Sequence, residues 1–588
     1  MKRSHLLAIV SFTFVVLIYL FLSFRCSGHD WKDAEGNAEV ISVSNLQPAT
    51  FPVFSYIYNG GAYLFQDPQT FLTSAVSQFI VRAAGPASGL RWFLVLFAAI
   101  GWFSLFAWLK PKLGETAAAV SATVWCLSLC FFWRGVAGHV PYFVHFTLPL
   151  FLILFERIFD GKNLPLSIPL LGVLGAWVGY EPSFHSFFYL IIPIGLIWVS
   201  ILTVHRETGQ VRAMMGISAS IAIALLILAP RWISWLHLPM TRSPDPLDGT
   251  LRLRDVLYGL FATARAGVMH FGVPGSSFNE RLDYIWEVNV ALFPPATFLA
   301  AIGLGVFFKD LGKKKSALIL AVFCVAFGVV IATDQMLWRS IQSLTSSGIR
   351  VPSRFLGAAA FGLAVLAGYG FQFLAKKFPR YETWIAASVI LATVAFSADW
   401  IRRAEKQGTL LKESIPWMQS VAIQKAPGQV WLGRYCGVGT GCPNLDSPDY
   451  ASDPYRMHIA AKAAGLGLKN AEVLPTLLPV LLDDPLDHSE VFVDHREVRV
   501  RPAADRGVIG LLLKKTVLGE EVVVEPEGVS VQVAAKDGHL LLTIPTPGSV
   551  REIRIRPKIP FPTWSGWVAA LSLMFCGIWI AFLRVINP

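Results

Sequence analysis

The chain has 588 residues, 54% of them hydrophobic and only 15% charged, with a mean hydropathy of +0.54. That excludes an ordinary soluble protein, in which roughly a quarter of residues are charged, and seven cysteines are too few for a disulfide scaffold. The net charge of +11 is spread in short clusters between apolar runs, the pattern of membrane topology, so no nucleic-acid partner is expected.

At the N-terminus, Lys2 and Arg3 precede an apolar run over 6–24, as in a signal peptide. The run is long for that purpose and no A-x-A site follows. Arg25 also stands where a lipid-attachment motif at Cys26 needs a small residue. An uncleaved first helix is therefore expected. Directly after it come Asp30, Asp33, Glu35 and Glu39. A stretch rich in aromatics and turn residues follows at 48–76 and reads as amphipathic pieces lying on a membrane.

A spanning helix needs roughly 20 apolar residues, and twelve such segments are expected. They cover about 5–24, 88–109, 116–136, 143–159, 164–180, 185–204, 213–230, 287–307, 316–333, 355–375, 383–399 and 564–584. With the N-terminus inside, every even-numbered segment ends in a basic cluster, from Lys110/Lys112 and Arg157/Lys162 to Lys376/Lys377/Arg380 and Arg584. The alternation satisfies the positive-inside rule with both termini cytoplasmic. It leaves long outer segments at 25–87, 231–286, 334–354 and 400–560. The fold class is a polytopic α-helical membrane protein with an extracytoplasmic α/β domain. The domains run 1–400 (membrane module), 401–560 (soluble domain) and 561–588 (C-terminal anchor). In the soluble domain, "EVFVDHREVRVRP", "GVSVQVAAKDGHLLLTI" and "VREIRIRP" alternate with period two, and Asp537-Gly538 marks a hairpin. A small β-sheet or sandwich is expected there.

The candidate chemistry lies on the outer side. Asp30, a few residues past the first helix beside His29 and Trp31, is placed to orient an acceptor hydroxyl and take its proton; Asp33 is the alternative. Arg350 and Arg354 straddle Pro352 at the start of the tenth segment, and a planar guanidinium can bind two phosphate oxygens at once. The competing reading is a snorkelling pair that anchors the helix. His139 and Arg134 are further candidates for holding phosphate. Glu181 and His185, four apart in "GYEPSFHSF", read as a polar pair, for substrate or for structure, with Pro182 working against a metal site. In "SSFNERLDYIWE", Tyr284 and Trp286 could stack on a sugar and Glu280 or Asp283 could bind its hydroxyls, although interfacial anchoring is the commoner explanation of such rings. Cys436 and Cys442 frame "CGVGTGC" and form a candidate disulfide loop, whereas Cys126, Cys130, Cys324 and Cys576 sit in apolar runs as packing residues. The chain calls for no cofactor; first-loop carboxylates would admit a divalent metal (Mg or Mn), without a clean ligand set.

Three stretches together resemble a known superfamily. They are an apolar helix followed by "GHD" and a "P…Y…GG…L…DPQ" segment, "RGVAGHVPYFVHFTLPLFLILFERI" at 134–158, and "SGIRVPSRFLGAAAFGLAVLAGYGFQFL" at 347–374. In order and on one membrane face, they resemble GT-C membrane glycosyltransferases, and more narrowly the bacterial YfhO-like members. The resemblance covers the membrane part in pieces. It implies an inner-membrane enzyme that takes a sugar from a polyprenyl-phosphate donor and transfers it, with inversion, to a glycan, lipid or protein acceptor on the outer face. By the "GHD" match, Asp30 would be the base. The rival readings are a transporter or flippase of lipid-linked saccharides and a polysaccharide polymerase or ligase. A transporter usually shows repeat symmetry and ionisable residues at mid-membrane; here the helix interiors are nearly free of charge.

Overall fold

The computed structural model describes residues 3–25, 75–131, 140–181, 187–205, 209–236, 253, 256, 292–309, 315–344 and 352–414. In the C-terminal region it describes the strands between 480 and 557 with adjoining residues, and 563–586.

The helical body begins with α1 (Arg3–Arg25), α2 (Ala75–Ala84), α3 (Pro86–Leu113) and α4 (Glu115–Cys126). A 3-10 stretch, Val140–Thr147, leads into α5 (Leu148–Phe159), and α6 spans Leu164–Tyr180. A π-helical turn, Phe187–Ile191, leads into α7 (Ile192–His205), followed by α8 (Gln210–Ile227) and α9 (Ala229–Leu236). Then come α10 (Pro294–Lys309), α11 (Ser316–Thr333) and α12 (Gln335–Leu344). A 3-10 turn at Pro352–Phe355 opens α13 (Leu356–Lys377), and α14 spans Glu382–Ser414.

Among the described residues, seven helical segments are long and apolar enough to cross a membrane: 3–24, 88–113, 142–159, 210–227, 316–333, 356–377 and 379–399. Five shorter apolar helices lie at 115–131, 164–180, 189–205, 294–309 and 567–579, overlapping the remaining expected spans. Many large apolar side chains on the helices face outward, among them Phe79, Phe103, Val204, Met215, Phe298 and Phe308. A water-soluble surface would not carry so much uncovered apolar area, and a bilayer accommodates it.

Three boundaries differ from expectation for local reasons. The third segment ends as a helix at Cys126, where Leu127 N–H donates to Thr123 O and Ser128 N–H to Trp125 O, tightening the last turn. The eighth starts at Pro294-Pro295, whose fixed φ suits a helix start. The eleventh runs on to Ser414, carried by good helix formers such as Glu405, Lys406, Leu410 and Leu411.

The core of the body is a seam of backbones. A Cβ on Gly370 of α13 would overlap the carbonyl oxygen of Leu299 on α10, and one on Gly303 would overlap that of Leu366. These glycines let α10 and α13 touch backbone to backbone, as small residues do in membrane helix pairs. Side-chain hydrogen bonds link α13 to its neighbours. Ser121 Oγ donates to Ala364 O at 2.8 Å, and Gln372 Nε2 to Leu113 O at 3.0 Å.

Helix contacts define two ends. Ser4 on α1 bonds Glu115 at the start of α4, and Arg91 on α3 donates to Ser23 O near the close of α1. The end where α1 starts is called lower here, and the end where it finishes upper.

Beyond α14 the chain forms β1 (Val480–Leu481), β2 (Glu490–Val493), β3 (Val498–Arg501), β4 (Val508–Leu512), β5 (Glu520–Glu525), β6 (Gln532–Lys536), β7 (His539–Thr543) and β8 (Glu552–Pro557). They make two antiparallel four-stranded sheets, ordered β1-β4-β7-β6 and β2-β3-β8-β5, so the chain passes repeatedly from one sheet to the other. β6 pairs with β7, placing Lys536 opposite His539, the two positions that flank Asp537-Gly538. Alternation divides the faces of the second sheet. Val500, Ile553 and Ile555 are buried on one side; Arg499, Arg501, Glu525, Glu552, Arg554 and Arg556 occupy the other register. There Glu552 accepts from Arg554 Nε at 2.8 Å and Arg501 Nε at 3.3 Å. The chain closes with α15 (Thr563–Ile586), held to α6 where Trp579 Nε1 donates to Pro165 O at 2.9 Å.

Candidate functional site

At the upper end, irregular backbone brings polar groups from separate helices together. Pro352 forbids a regular helix approach and makes the 3-10 turn that presents Arg354. The Arg354 guanidinium carbon lies 5.3 Å from the ring centre of Tyr142 and 5.6 Å from that of Tyr189. Tyr142 comes from the 3-10 stretch and Tyr189 from the π-helical turn. Such departures from α geometry recur at functional sites because they aim side chains that a straight helix would not. A guanidinium over an aromatic face is attracted by the ring quadrupole, and the ring brings no net charge of its own.

The box is supported from behind. Tyr189 meets Phe355 edge-on at 5.0 Å, and Phe355 is backed by Phe327 at 5.7 Å and Trp338 at 6.4 Å. Tyr142 meets His145 edge-on at 5.8 Å, and His145, fully buried, meets Phe131 at 5.9 Å. Gly357, at the start of α13, lies against both: a Cβ there would sit 3.9 Å from Cys130 Sγ and 4.0 Å from His145 Nδ1. The upper part of α1 joins the same assembly. Tyr19 donates to Cys126 O and stands edge-on to Phe143 and Phe146, the neighbours of Tyr142 and His145.

A second polar group lies at the top of α6. Glu181 is fully buried and accepts a hydrogen bond from Trp177 Nε1 at 3.0 Å; Trp177 stacks on Phe97. Arg231 on α9 is 2% exposed and donates Nη1 to Tyr180 O at 2.8 Å, while Tyr180 donates to Ile227 O. Buried charges are costly unless they are held by polar partners, so their presence here marks a specialised region.

The lower end has a different character. Glu115 accepts from Ser4 at 2.8 Å and Lys110 at 3.1 Å and contacts His5. Glu156 accepts from Trp108 Nε1 at 2.9 Å and Lys112 Nζ at 3.0 Å.

Of the residues singled out in the sequence, Arg354 and Glu181 are described, and each sits in one of the two upper groups. Asp30, Asp33, Arg134, His139, His185, Glu280, Asp283, Tyr284, Trp286, Arg350, Cys436 and Cys442 lie outside the described residues. The expected packing cysteines, Cys126, Cys130, Cys324 and Cys576, are buried. Sequence reasoning passed over Tyr142, His145, Tyr189 and Arg231. The density of rings in "VPYFVHF" and the position of Arg231 straight after Pro230 were the available signals. Among the described residues, no three His, Cys, Asp or Glu side chains group as a metal ion would require.

Compared with known proteins, the sequence matches no protein-family profile and no curated protein. The resemblance to GT-C enzymes therefore rests on the three motif stretches themselves.

Proposed function

We propose that the chain is a multi-pass membrane glycosyltransferase of GT-C type. It would move a sugar from a polyprenyl-phosphate donor to an acceptor hydroxyl at the outer face of a bacterial inner membrane. The observation that carries this reading is the run of contacts from Tyr19 on α1, through Phe143 and Tyr142, to Arg354. Asp30 follows Arg25, the last residue of α1, by five residues. Five residues span at most about 17 Å, and that short separation in sequence supports reading Asp30 together with Arg354.

In the proposed step, Asp30 takes the proton of the acceptor hydroxyl, with Asp33 as the alternative base. The freed oxygen attacks the anomeric carbon as the bond from that carbon to the phosphate oxygen breaks. The departing phosphate carries the negative charge, and Arg354 stabilises it, helped by Arg350, His139 and Arg134. Glu181, His185, Glu280 and Tyr284 would contact sugar or acceptor hydroxyls. The C-terminal strand domain would cover the acceptor. The five shorter apolar helices would complete twelve spans, both termini facing the cytoplasm, and the lower-end lysines fit that orientation.

The test uses the full chain in nanodiscs, with separate titrations of polyprenyl phosphate and of transfer activity. Asp30→Asn is expected to lower transfer by roughly a hundredfold or more while leaving donor affinity intact. Arg354→Ala is expected to weaken the donor. Full transfer by both variants would end the proposal.

A further inference from the structure

The way α6 ends is set by the proline that follows. Pro182 disfavours a helical conformation at the residue before it, and Glu181 is extended, with φ −80° and ψ 169°. The last carbonyls of α6 therefore receive no donors from their own helix. Arg231 Nη1 supplies one, donating to Tyr180 O at 2.8 Å. Tyr180 in turn donates its hydroxyl to Ile227 O at 2.6 Å. Two hydrogen bonds thus run in opposite directions between the top of α6 and the corner where α8 gives way to α9. The corner comes this close because Gly179 has no side chain: a Cβ there would stand 2.6 Å from Leu228 Cδ1.

This clasp is more than a helix end needs. Water or a neutral side chain satisfies a terminal carbonyl, whereas burying a guanidinium to 2% exposure is costly. What sets this end apart is the residue after the clasped carbonyl. One peptide unit separates Tyr180 O from the α-carbon of Glu181, whose fully buried carboxylate accepts from Trp177 Nε1 at 3.0 Å. Trp177 is fixed in turn by stacking on Phe97 of α3 at 5.5 Å. Arg231 therefore holds the backbone that leads into Glu181, and Trp177 holds its carboxylate. Resting on the reading of Glu181 as a group that meets substrate hydroxyls, we infer that Arg231 is its positioning residue. By fixing the end of α6, the guanidinium fixes where the carboxylate stands and which way it points. Rate is sensitive to such placement, since a displacement of about 1 Å can cost a hundredfold.

The experiment uses the full chain in nanodiscs. Undecaprenyl phosphate is the binding probe, and transfer is followed on donor and acceptor supplied by membranes of cells that lack the chain. Glu181→Gln is expected to lower transfer about tenfold with undecaprenyl phosphate affinity unchanged. Arg231→Met, which removes the donor, should give a similar loss and the same probe affinity. Arg231→Lys, which keeps a charged donor, should recover most of the rate. The double variant Glu181→Gln, Arg231→Met should be no slower than the slower single variant, because positioning has no effect once the carboxylate is gone. Thermal unfolding shows which variants fold; if Arg231→Met does not, Arg231→Gln takes its place in the same comparison. Losses that multiply in the double variant, or no rescue by lysine, make the clasp merely structural and overturn the inference. So does weakened probe affinity in the Arg231 variants. If Glu181→Gln is slowed and Arg231→Met is not, the inference falls and the reading of Glu181 stands. If Glu181→Gln transfers at the parent rate, the reading of Glu181 is itself lost.

Discussion

At the lower end of the helical body, Glu115 and Glu156 each gather several donors, so the lysines there are neutralised where they stand. At the upper end, Arg354 lies against two tyrosine rings and Arg231 donates to a backbone carbonyl. Both arrangements hold a cation in place, but with different electrostatic results. A carboxylate cancels the charge it binds; a ring or a carbonyl orients the cation without cancelling it. Carboxylates hold the cations of the lower end; rings and a backbone carbonyl are among the partners that hold those of the upper end.

The contrast can be tested by removing what holds each cation. The largest effect is expected from Glu156→Ala, which takes a carboxylate from Lys112 and from the Trp108 indole. Thermal unfolding should report a loss of about 2 kcal/mol, with transfer per folded molecule unchanged; a loss of activity without a loss of stability would erase the distinction between the ends. A smaller effect is expected from Tyr142→Leu, which removes one ring from the Arg354 box. Lipid-phosphate affinity should fall roughly fivefold, the worth of a partly exposed cation–π contact, while the melting temperature barely moves. The reverse pattern would make the rings mere packing.

The smallest effect extends the lower-end rule to the strand domain. The Arg554 guanidinium holds the Glu552 carboxyl below the usual glutamate range, with Arg501 helping and burial opposing. A depressed folded-state pKa means that the contribution is complete above the unfolded value of about 4.3. It disappears as pH falls through the lower folded value. Pepsin digestion of the full chain across that acid range should cut the β8 region more readily as pH drops, and Glu552→Gln should flatten the dependence.

The sequence showed the body better than the site. Apolar runs are legible wherever they lie, so seven of the expected segments match helices long and apolar enough to cross a membrane, and the other five overlap shorter apolar helices. The alternation around Asp537-Gly538 likewise places β6 and β7 in their observed register. The box at Arg354 could not be read in that way. Tyr142, Tyr189 and Arg354 belong to three distant stretches with no shared period, and they meet because a π-helical turn and two 3-10 segments redirect them. Arg354 stood out in the sequence because the expected topology puts it on an outer loop, where a cation opposes the usual bias. His145 did not, because a histidine among phenylalanines looks like core.

The order of strands bears on how the ribosome delivers this chain. β8 is made last among the strands, yet it lies in the middle of its sheet, between β3 and β5. Until residues 552–557 emerge, β3 and β5 each keep an unpaired edge, and unpaired edges invite association with other chains. The domain must therefore wait, incomplete and in need of protection, until its final strand arrives just ahead of the closing helix. A nascent chain arrested before β8 is expected to be the form most readily captured by chaperones.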